Sequence, residues 1–300
     1  MRYLIIILFA SFVNTANAQQ RAMFTQYMFN GLAINPAYSS VDDALSFTGI
    51  YRQQWTGFEG APNTQSFTVH SPLKGSNTSV GLMLTRDHIG EVITENGAHI
   101  TISQRVKLDD ITYLAAGLMG GVNNYKARYS SLYDQTSGSD PLFGDQVERQ
   151  MELGFGLMFF TDDFYLGFSS PFFISKNISG NGTGVNNRPH LLLTGGYLIP
   201  LGEKLKLKPY GLAKYVRGSP LQVDLNASLL IAETLWVGAS WRSFDSVDAL
   251  AQVEVTKNIQ IGYSYDFTTS ALKNTNKGSH EFMLKYRVPV KGLNFPKCYF

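Results

Sequence analysis

The five histidines of this 300-residue chain are the residues best suited to catalysis or metal binding, and their positions favour neither. They lie without the short spacings that bring ligands to one metal ion. The pairs His70–Ser71 and His280–Glu281 are neighbours on expected strands, where successive side chains point to opposite faces, so neither pair can act as a catalytic couple. We therefore expect no enzyme and no metal. The five are His70, His88, His99, His190 and His280.

Two other stretches have residue types that bind ligands in loops. The glycine-rich sequence SGNGTGV, at residues 179–185, is followed by Asn and Pro and not by a helix, which favours a surface loop over a phosphate-binding loop. Asp134, Asp140 and Asp145 could contact Ca²⁺, but their spacing is not that of an EF-hand. We predict no cofactor and no small-molecule substrate.

The first residues of the chain have the pattern of a secretory signal peptide. One Arg precedes a short apolar run, and the small residues Ala16 and Ala18 form an A-x-A cleavage site. We predict a leader over residues 1–18, with cleavage between Ala18 and Gln19. An uncleaved membrane anchor is the alternative, but the apolar run is only about half of the roughly 20 residues that span a bilayer.

Composition narrows the class of protein. The chain has 25 Lys and Arg against 23 Asp and Glu, and this balance argues against a nucleic-acid partner. Charged residues make up 16%, below the roughly 25% of an average soluble domain, whereas aromatic residues reach 13%. The single cysteine, Cys298, allows no intramolecular disulfide. Few charges, many aromatics and no long apolar run after the leader are typical of an outer-membrane β-barrel.

Apolar and polar residues alternate along the mature chain, which predicts about fourteen β-strands. In residues 259–267, for example, Ile, Ile, Tyr, Tyr and Phe alternate with Gln, Gly, Ser and Asp. Many runs are near the length that a tilted strand needs to cross a bilayer. A soluble β protein is the alternative, but its outer faces would be richer in Lys and Glu. The predicted strands are residues 45–52, 64–71, 78–87, 97–107, 111–122, 151–161, 163–170, 189–199, 203–216, 220–231, 233–242, 248–256, 258–267 and 279–289.

The links between these strands favour a membrane barrel. Links after even-numbered strands are mostly tight, such as LDD, TDD and AE, whereas links after odd-numbered strands are mostly long, such as HIGEVITEN. Outer-membrane barrels have short periplasmic turns and longer external loops, and an even strand number leaves both termini in the periplasm. We predict an all-β transmembrane barrel over residues 45–300, preceded by a periplasmic or plug segment over residues 19–44.

Several stretches closely resemble the PorP/SprF family of type IX secretion proteins of Bacteroidota. The most distinctive are QYMFN at residues 26–30, NPAY at residues 35–38 and YRQQW at residues 51–55, and the resemblance covers essentially the whole mature chain. Gly31 departs from the family, which commonly has Pro there, and the ending PKCYF replaces a common Arg-Tyr-Phe. The resemblance implies an outer-membrane barrel that serves type IX secretion and gliding, with periplasmic ring components or a large adhesin as partner.

The segment from Phe24 to Ser40 is unusually aromatic for the start of an exported chain, because a tail rarely buries enough apolar surface to become ordered. A helix from about Phe24 to Asn30 should stop before Asn35–Pro36, since a residue before Pro avoids helical geometry. The segment is expected to plug the barrel mouth, to dock onto a periplasmic partner or to pack on the lower rim. Ten residues are candidates for partner binding: Phe24, Tyr27, Met28, Phe29, Asn30, Asn35, Pro36, Tyr38, Arg52 and Trp55.

Charged residues on the polar strand faces are expected to point into the lumen, where they line a wet pore or pair across it. These are Lys206, Lys208, Asp224, Glu254, Asp266, Lys285 and Arg287. The prediction is a non-enzymatic outer-membrane component of type IX secretion, which binds machinery subunits or adhesin cargo and contacts outer-membrane lipid. The alternatives are a passive solute channel of similar barrel shape and a soluble secreted β protein.

Overall fold

The computed structural model describes residues 23–132, 144–178, 188–290 and 299–300. Within them the chain forms one antiparallel sheet whose strands follow the order of the predicted ones. Their bounds are β1 Ala44–Gln53, β2 Asn63–Pro72, β3 Thr78–Ile89, β4 Ile93–Lys107, β5 Tyr113–Ala127, β6 Gln146–Phe160, β7 Phe164–Asn177, β8 His190–Tyr197, β9 Ile199–Pro200, β10 Leu205–Val216, β11 Gln222–Ile231, β12 Leu235–Arg242, β13 Ser246–Glu254, β14 Ile259–Thr268 and β15 Ser279–Pro289.

The sheet closes on itself into a barrel. β1 pairs with β15 along its whole length, from Ala44 opposite Pro289 to Gln53 opposite His280. The two-residue β9 continues β8, and both pair with β10, so the ring contains fourteen strands. Closure leaves no unpaired sheet edge, which is what a sheet surrounded by lipid requires. The predicted fold class is confirmed.

The two faces of the sheet have reversed polarity compared with a soluble barrel. Large apolar side chains point outward, such as Ile100 with 68% and Leu118 with 63% of its surface exposed. Many inward positions are polar and buried, including Thr68, Ser103 and Asn226. This arrangement buries polar groups inside the ring and offers hydrocarbon to lipid, and it explains why alternation in the sequence located the strands.

The two ends of the barrel differ in the length of their links. At one end, called the tight end, short turns such as residues 161–163 and 232–234 connect the strands. At the other, called the loop end, links such as residues 54–62 and 269–278 are longer. The predicted long link HIGEVITEN is wrong, because β3 and β4 continue until only residues 90–92 separate them. Residues 86–88 and their partners 94–96 are polar on both faces of the sheet, so hydrophobic alternation ends before backbone pairing does.

The segment before β1 contains three short 3₁₀ turns, Tyr27–Phe29, Gly31–Ala33 and Pro36–Ser40. The helix predicted from about Phe24 to Asn30 is therefore a single turn, and it ends before Asn35 as expected. Asn35 itself is extended and caps the third turn, because its Oδ1 accepts a hydrogen bond from the Ala37 amide at 2.9 Å. No helix among the described residues is long and apolar enough to cross a membrane.

Candidate functional site in the barrel lumen

Residues 23–41, called the lumen segment, lie inside the ring of strands. Their hydrogen bonds reach strands on every side of the closed sheet, which is possible only from within it. The contacts pair Asn30 with Thr68 of β2, Ser39 with Ser103 of β4, Asn35 with Leu157 of β6, Ile34 with Ser169 of β7, Tyr27 with Asn226 of β11, Thr25 with Asp266 of β14 and Gln26 with Glu281 of β15.

The lumen segment shares one apolar core with inward side chains of the strands. Tyr27 packs edge-on against Tyr210 with ring centroids 6.2 Å apart, and Phe29 packs in the same way against Trp236 at 6.3 Å. Leu32 is completely buried. Burial of such side chains is the main favourable term in folding, so the aromatic composition of this segment is explained by packing against the inward faces of the strands.

A buried cluster of charges near the loop end holds the start of the lumen segment. Arg52 Nη2 lies 2.6 Å from Asp266 Oδ2, and Arg52 Nη1 lies 3.1 Å from Glu281 Oε2. The Glu281 carboxylate also accepts hydrogen bonds from the backbone amides of Thr25, at 2.8 Å, and Gln26, at 2.7 Å. We call Arg52, Asp266 and Glu281 the loop-side latch. A buried charge is tolerated when it is paired and hydrogen-bonded, and the latch meets both conditions.

A second set of ion pairs holds the other end of the lumen segment, just before β1. Arg287 donates two hydrogen bonds to the Asp42 carboxylate, at 2.8 and 2.6 Å, and Arg105 pairs with Asp43 at 2.7 Å. Burial by itself would raise the pKa of Asp42, but the hydrogen bond and charge of Arg287 outweigh burial and keep that pKa below its ordinary value. The segment is therefore fixed by charge at both ends and by apolar packing between them.

Two inward glycines make room for the third turn of the lumen segment. Gly117 and Gly156 face each other on β5 and β6, and the Asn35–Ala37 stretch lies directly on them. A Cβ atom on Gly117 would lie 2.5 Å from the Ala37 backbone nitrogen, and one on Gly156 would lie 2.0 Å from Asn35 Oδ1. Glycine in a strand interior often marks such a close backbone approach.

Valine at Gly156 should push the Asn35–Ala37 turn off the wall of the barrel. Overpacking of this kind costs roughly 1–3 kcal/mol, and we expect a lower unfolding temperature and faster chymotrypsin cleavage within the lumen segment of the purified protein. Gly120→Val is the matched control, because Gly120 faces outward and its Cβ would meet only the flexible Leu153 side chain at 3.4 Å. Equal cleavage rates in G156V and G120V would contradict the packing.

The last two residues also lie in the lumen, at the tight end. Lys208 donates a hydrogen bond to the Tyr299 backbone oxygen at 2.6 Å, and Lys206 donates to the Tyr299 hydroxyl at 2.8 Å. The Phe300 ring packs on Tyr165 with centroids 5.0 Å apart, and the Tyr38 hydroxyl donates to a Phe300 main-chain oxygen. The lumen is thus filled by residues from both ends of the chain.

Comparison with known proteins assigns the family. A family model described as "Type IX secretion system membrane protein PorP/SprF" matches residues 16–286. The chain belongs to the PorP/SprF family. It is therefore a component of type IX secretion, and the family together with the closed barrel places it in the outer membrane. No curated protein matches the chain in sequence.

Solved structures of similar shape share little sequence with this PorP/SprF protein. The outer-membrane protein Omp33 of Acinetobacter baumannii is 11% identical, covering 82% of this chain and 99% of that one, with a TM-score of 0.45. The CymD monoaromatic hydrocarbon channel is 10% identical, covering 89% and 93%, with a TM-score of 0.49. A Pseudomonas aeruginosa FadL homologue is 12% identical, covering 88% and 94%, with a TM-score of 0.43.

The structure buries nine of the ten residues predicted to bind a partner. Trp55 is the exception: it lies in the β1–β2 link, partly exposed, with a φ of 43° and its amide donating to Ser279 Oγ at 3.2 Å. The other nine contact the PorP/SprF barrel's own interior, so a partner would reach them only if the lumen segment left the barrel. Their role in partner binding stays a prediction. The nine are Phe24, Tyr27, Met28, Phe29, Asn30, Asn35, Pro36, Tyr38 and Arg52.

The lumen charges predicted from sequence point inward as expected, and most are paired. Lys208, Asp224, Asp266, Lys285 and Arg287 are buried, whereas Lys206 and Glu254 are partly buried near the tight end. Tyr210, Trp236 and the two inward glycines form the surface that receives the lumen segment, and they could not be identified from the sequence as such. The sequence did contain an indication of the glycine site, because Gly117 and Gly156 occupy inward positions in the middle of strands.

The described residues offer little for catalysis or metal binding. Among them, no group of three or more His, Cys, Asp or Glu side chains is placed to hold a metal ion. His99 pairs with Glu152 at 2.8 Å, and His70 lies edge-on against the Tyr38 ring. The Asp145 carboxylate accepts a hydrogen bond from the Ser130 amide. Ala18, Gln19, Asp134, Asp140, Cys298 and the stretch 179–185 lie outside the described residues.

Proposed function

We propose that this protein is a non-enzymatic component of type IX secretion whose closed barrel binds machinery subunits or a large adhesin at the outer membrane. The observation that carries the proposal is the lumen segment, which fills the interior with buried, mutually bonded side chains. A fourteen-strand barrel is wide enough for a channel unless it is plugged. The filled lumen supports a binding role over the alternative of a passive solute channel.

The proposed orientation places both termini and the tight end in the periplasm. Support comes from the asymmetry of the links, because outer-membrane barrels have short turns on the periplasmic side and longer loops outside. The start of β1 and the end of β15 both lie at the tight end, which agrees with an even number of strands. In this orientation periplasmic machinery meets the short turns, and an adhesin at the cell surface meets the long links.

Copurification from the native host tests the proposed function. We would insert an affinity tag in the β5–β6 link, solubilise the outer membrane gently and identify the proteins that elute with the barrel. Periplasmic components of the secretion apparatus or a large adhesin should coelute, and neither should coelute with an identically tagged, unrelated outer-membrane barrel from the same host. Elution of the barrel alone would count against a binding role.

A further inference from the structure

On the described strands, the charged side chains of the outer face are confined to one side of the barrel, and all of them are cations. Alternation in β3 to β7 directs four exposed basic residues outward, whereas the acidic residues of the described strands point inward, Glu148 and Glu152 among them. The outward positions of the other described strands carry apolar, aromatic or uncharged polar residues. The four cations are Arg86 on β3, Lys126 on β5, Arg149 on β6 and Lys176 on β7.

These cations lie in the part of the outer face nearer the loop end. On β3, Leu84 is the last outward apolar residue before Arg86, whereas on β6 Arg149 lies between the outward apolar residues Met151 and Val147. In the strand register, Arg86 is opposite Asn96, Asn96 is opposite Asn124, and Asn124 is opposite Arg149. One row of outward polar side chains thus crosses four strands in the part of the barrel nearer the loop end.

The basic residues of β5, β6 and β7 are close enough to act on one ligand. Lys126 is opposite Val147, two residues from Arg149, and Lys176 is opposite Met151, two residues from Arg149 on the other side. Such diagonal neighbours on one face are about 7–8 Å apart. Like charges at this spacing repel each other, so a ligand with several negative oxygens would be bound favourably. Phosphate suits this pattern, since Arg binds it through two parallel hydrogen bonds and Lys as a point charge.

An apolar groove of about 700 Å³ begins beside Arg86 and runs across β3, β2, β1, β15 and β14. It exists because Gly49 has no side chain between Phe67 and Leu284, its neighbours in the register on either side. Gln65 and Arg86 lie at its loop-side end. A groove lined by aromatic and aliphatic side chains, with a cation at the headgroup level, fits an acyl chain whose lipid carries a phosphate.

We propose that the outer face of β3 to β7 binds a phosphorylated lipid of the outer leaflet. Arg86, Lys126, Arg149 and Lys176 contact its phosphate groups, and the groove beside Gly49 takes one acyl chain. The assignment to the outer leaflet rests on the proposed orientation, in which the loop end faces outward. The cluster of positive charges favours a ligand with an anionic headgroup. The outward apolar side chains beside the cations favour a lipid over a soluble phosphate.

Binding of purified lipid A to the protein in detergent micelles tests this proposal. The variant R86Q/K126Q/R149Q/K176Q should bind lipid A at least about tenfold more weakly, as measured by native mass spectrometry. The control K74Q/K107Q/K204Q/K257Q removes the same charge from exposed lysines at the tight end and should bind within about twofold of the native protein. Gly49→Phe should weaken binding of lipid A without changing the dependence on salt, because it fills only the acyl groove.

Three results would overturn the lipid site: equal binding by the quadruple variant, equal loss in the tight-end control, or equal binding of dephosphorylated lipid A. Preference for phosphatidylglycerol over lipid A would also overturn the assignment to the outer leaflet. Heat-modified mobility on gels verifies that each variant is a folded barrel. The same variants are also tested for copurification of secretion proteins. If lipid A binding does not depend on these residues but the secretion proteins still copurify, the lipid site is refuted and the proposed function is not.

Discussion

We expect the native barrel not to conduct and the removal of residues 23–41 to open a pore through it. The segment supplies a large part of the apolar core inside the barrel, and its deletion uncovers inward polar groups such as Arg52, Lys208 and Asn226. Those groups would be solvated by water, and a lumen bounded by fourteen strands is wide enough to pass ions. Single-channel recording in planar bilayers measures the difference directly.

The deletion must be separated from misfolding. Heat-modified mobility on gels reports whether the shortened chain still forms a closed barrel, and the pair G117V/G156V provides a full-length variant that displaces the segment without removing it. We expect this pair to conduct intermittently and the outward control G120V to remain silent. If the native protein conducts as well as the deletion variant, the lumen segment does not close the barrel, and the solute-channel alternative becomes the better function.

The strands could be predicted from the sequence because a membrane barrel exposes its apolar face to lipid. Each strand then shows alternation by itself, without knowledge of its neighbours, as in residues 259–267. The prediction of strand ends failed where the outward face is no longer apolar. β3 and β4 extend past their apolar stretches, and the backbone pairing continues there between polar residues, with residues 86–88 opposite residues 94–96, before it ends at the Ile89–Ile93 pair.

The position of the lumen segment depends on contacts between residues that are far apart in the sequence, and no local sequence pattern reveals such contacts. Arg52 and Glu281 are 229 positions apart in the sequence, and Asn35 and Leu157 are 122 apart. Either contact forms only after the barrel has closed in the correct register. The sequence could show that the aromatic residues of the segment must be buried. The inward glycines could indicate where on the barrel wall they are buried. The three-dimensional arrangement was needed to place the segment inside the lumen and not on the lower rim.

Arg52→Met is expected to destabilise the loop-side latch more than any other single change in the lumen. It leaves Asp266 and Glu281 buried beside each other without their cation, and breaking a buried ion pair in this way costs about 3–5 kcal/mol. The free energy of unfolding in detergent, measured by denaturant titration, should fall by about that amount. Release of Thr25 and Gln26 should also expose the lumen segment to chymotrypsin.

A neutral latch distinguishes lost charge pairing from lost packing. The triple variant R52M/D266N/E281Q removes all three charges, so it should recover much of the stability that R52M loses, because the remaining cost in R52M is that of two unpaired carboxylates. Arg86→Met, on the lipid side, controls for loss of an arginine alone. Should R52M unfold at the same denaturant concentration as the native protein, apolar packing around Tyr27 and Leu32 would hold the segment by itself. The latch would then set only where the segment begins, and release of the segment would require disruption of its core.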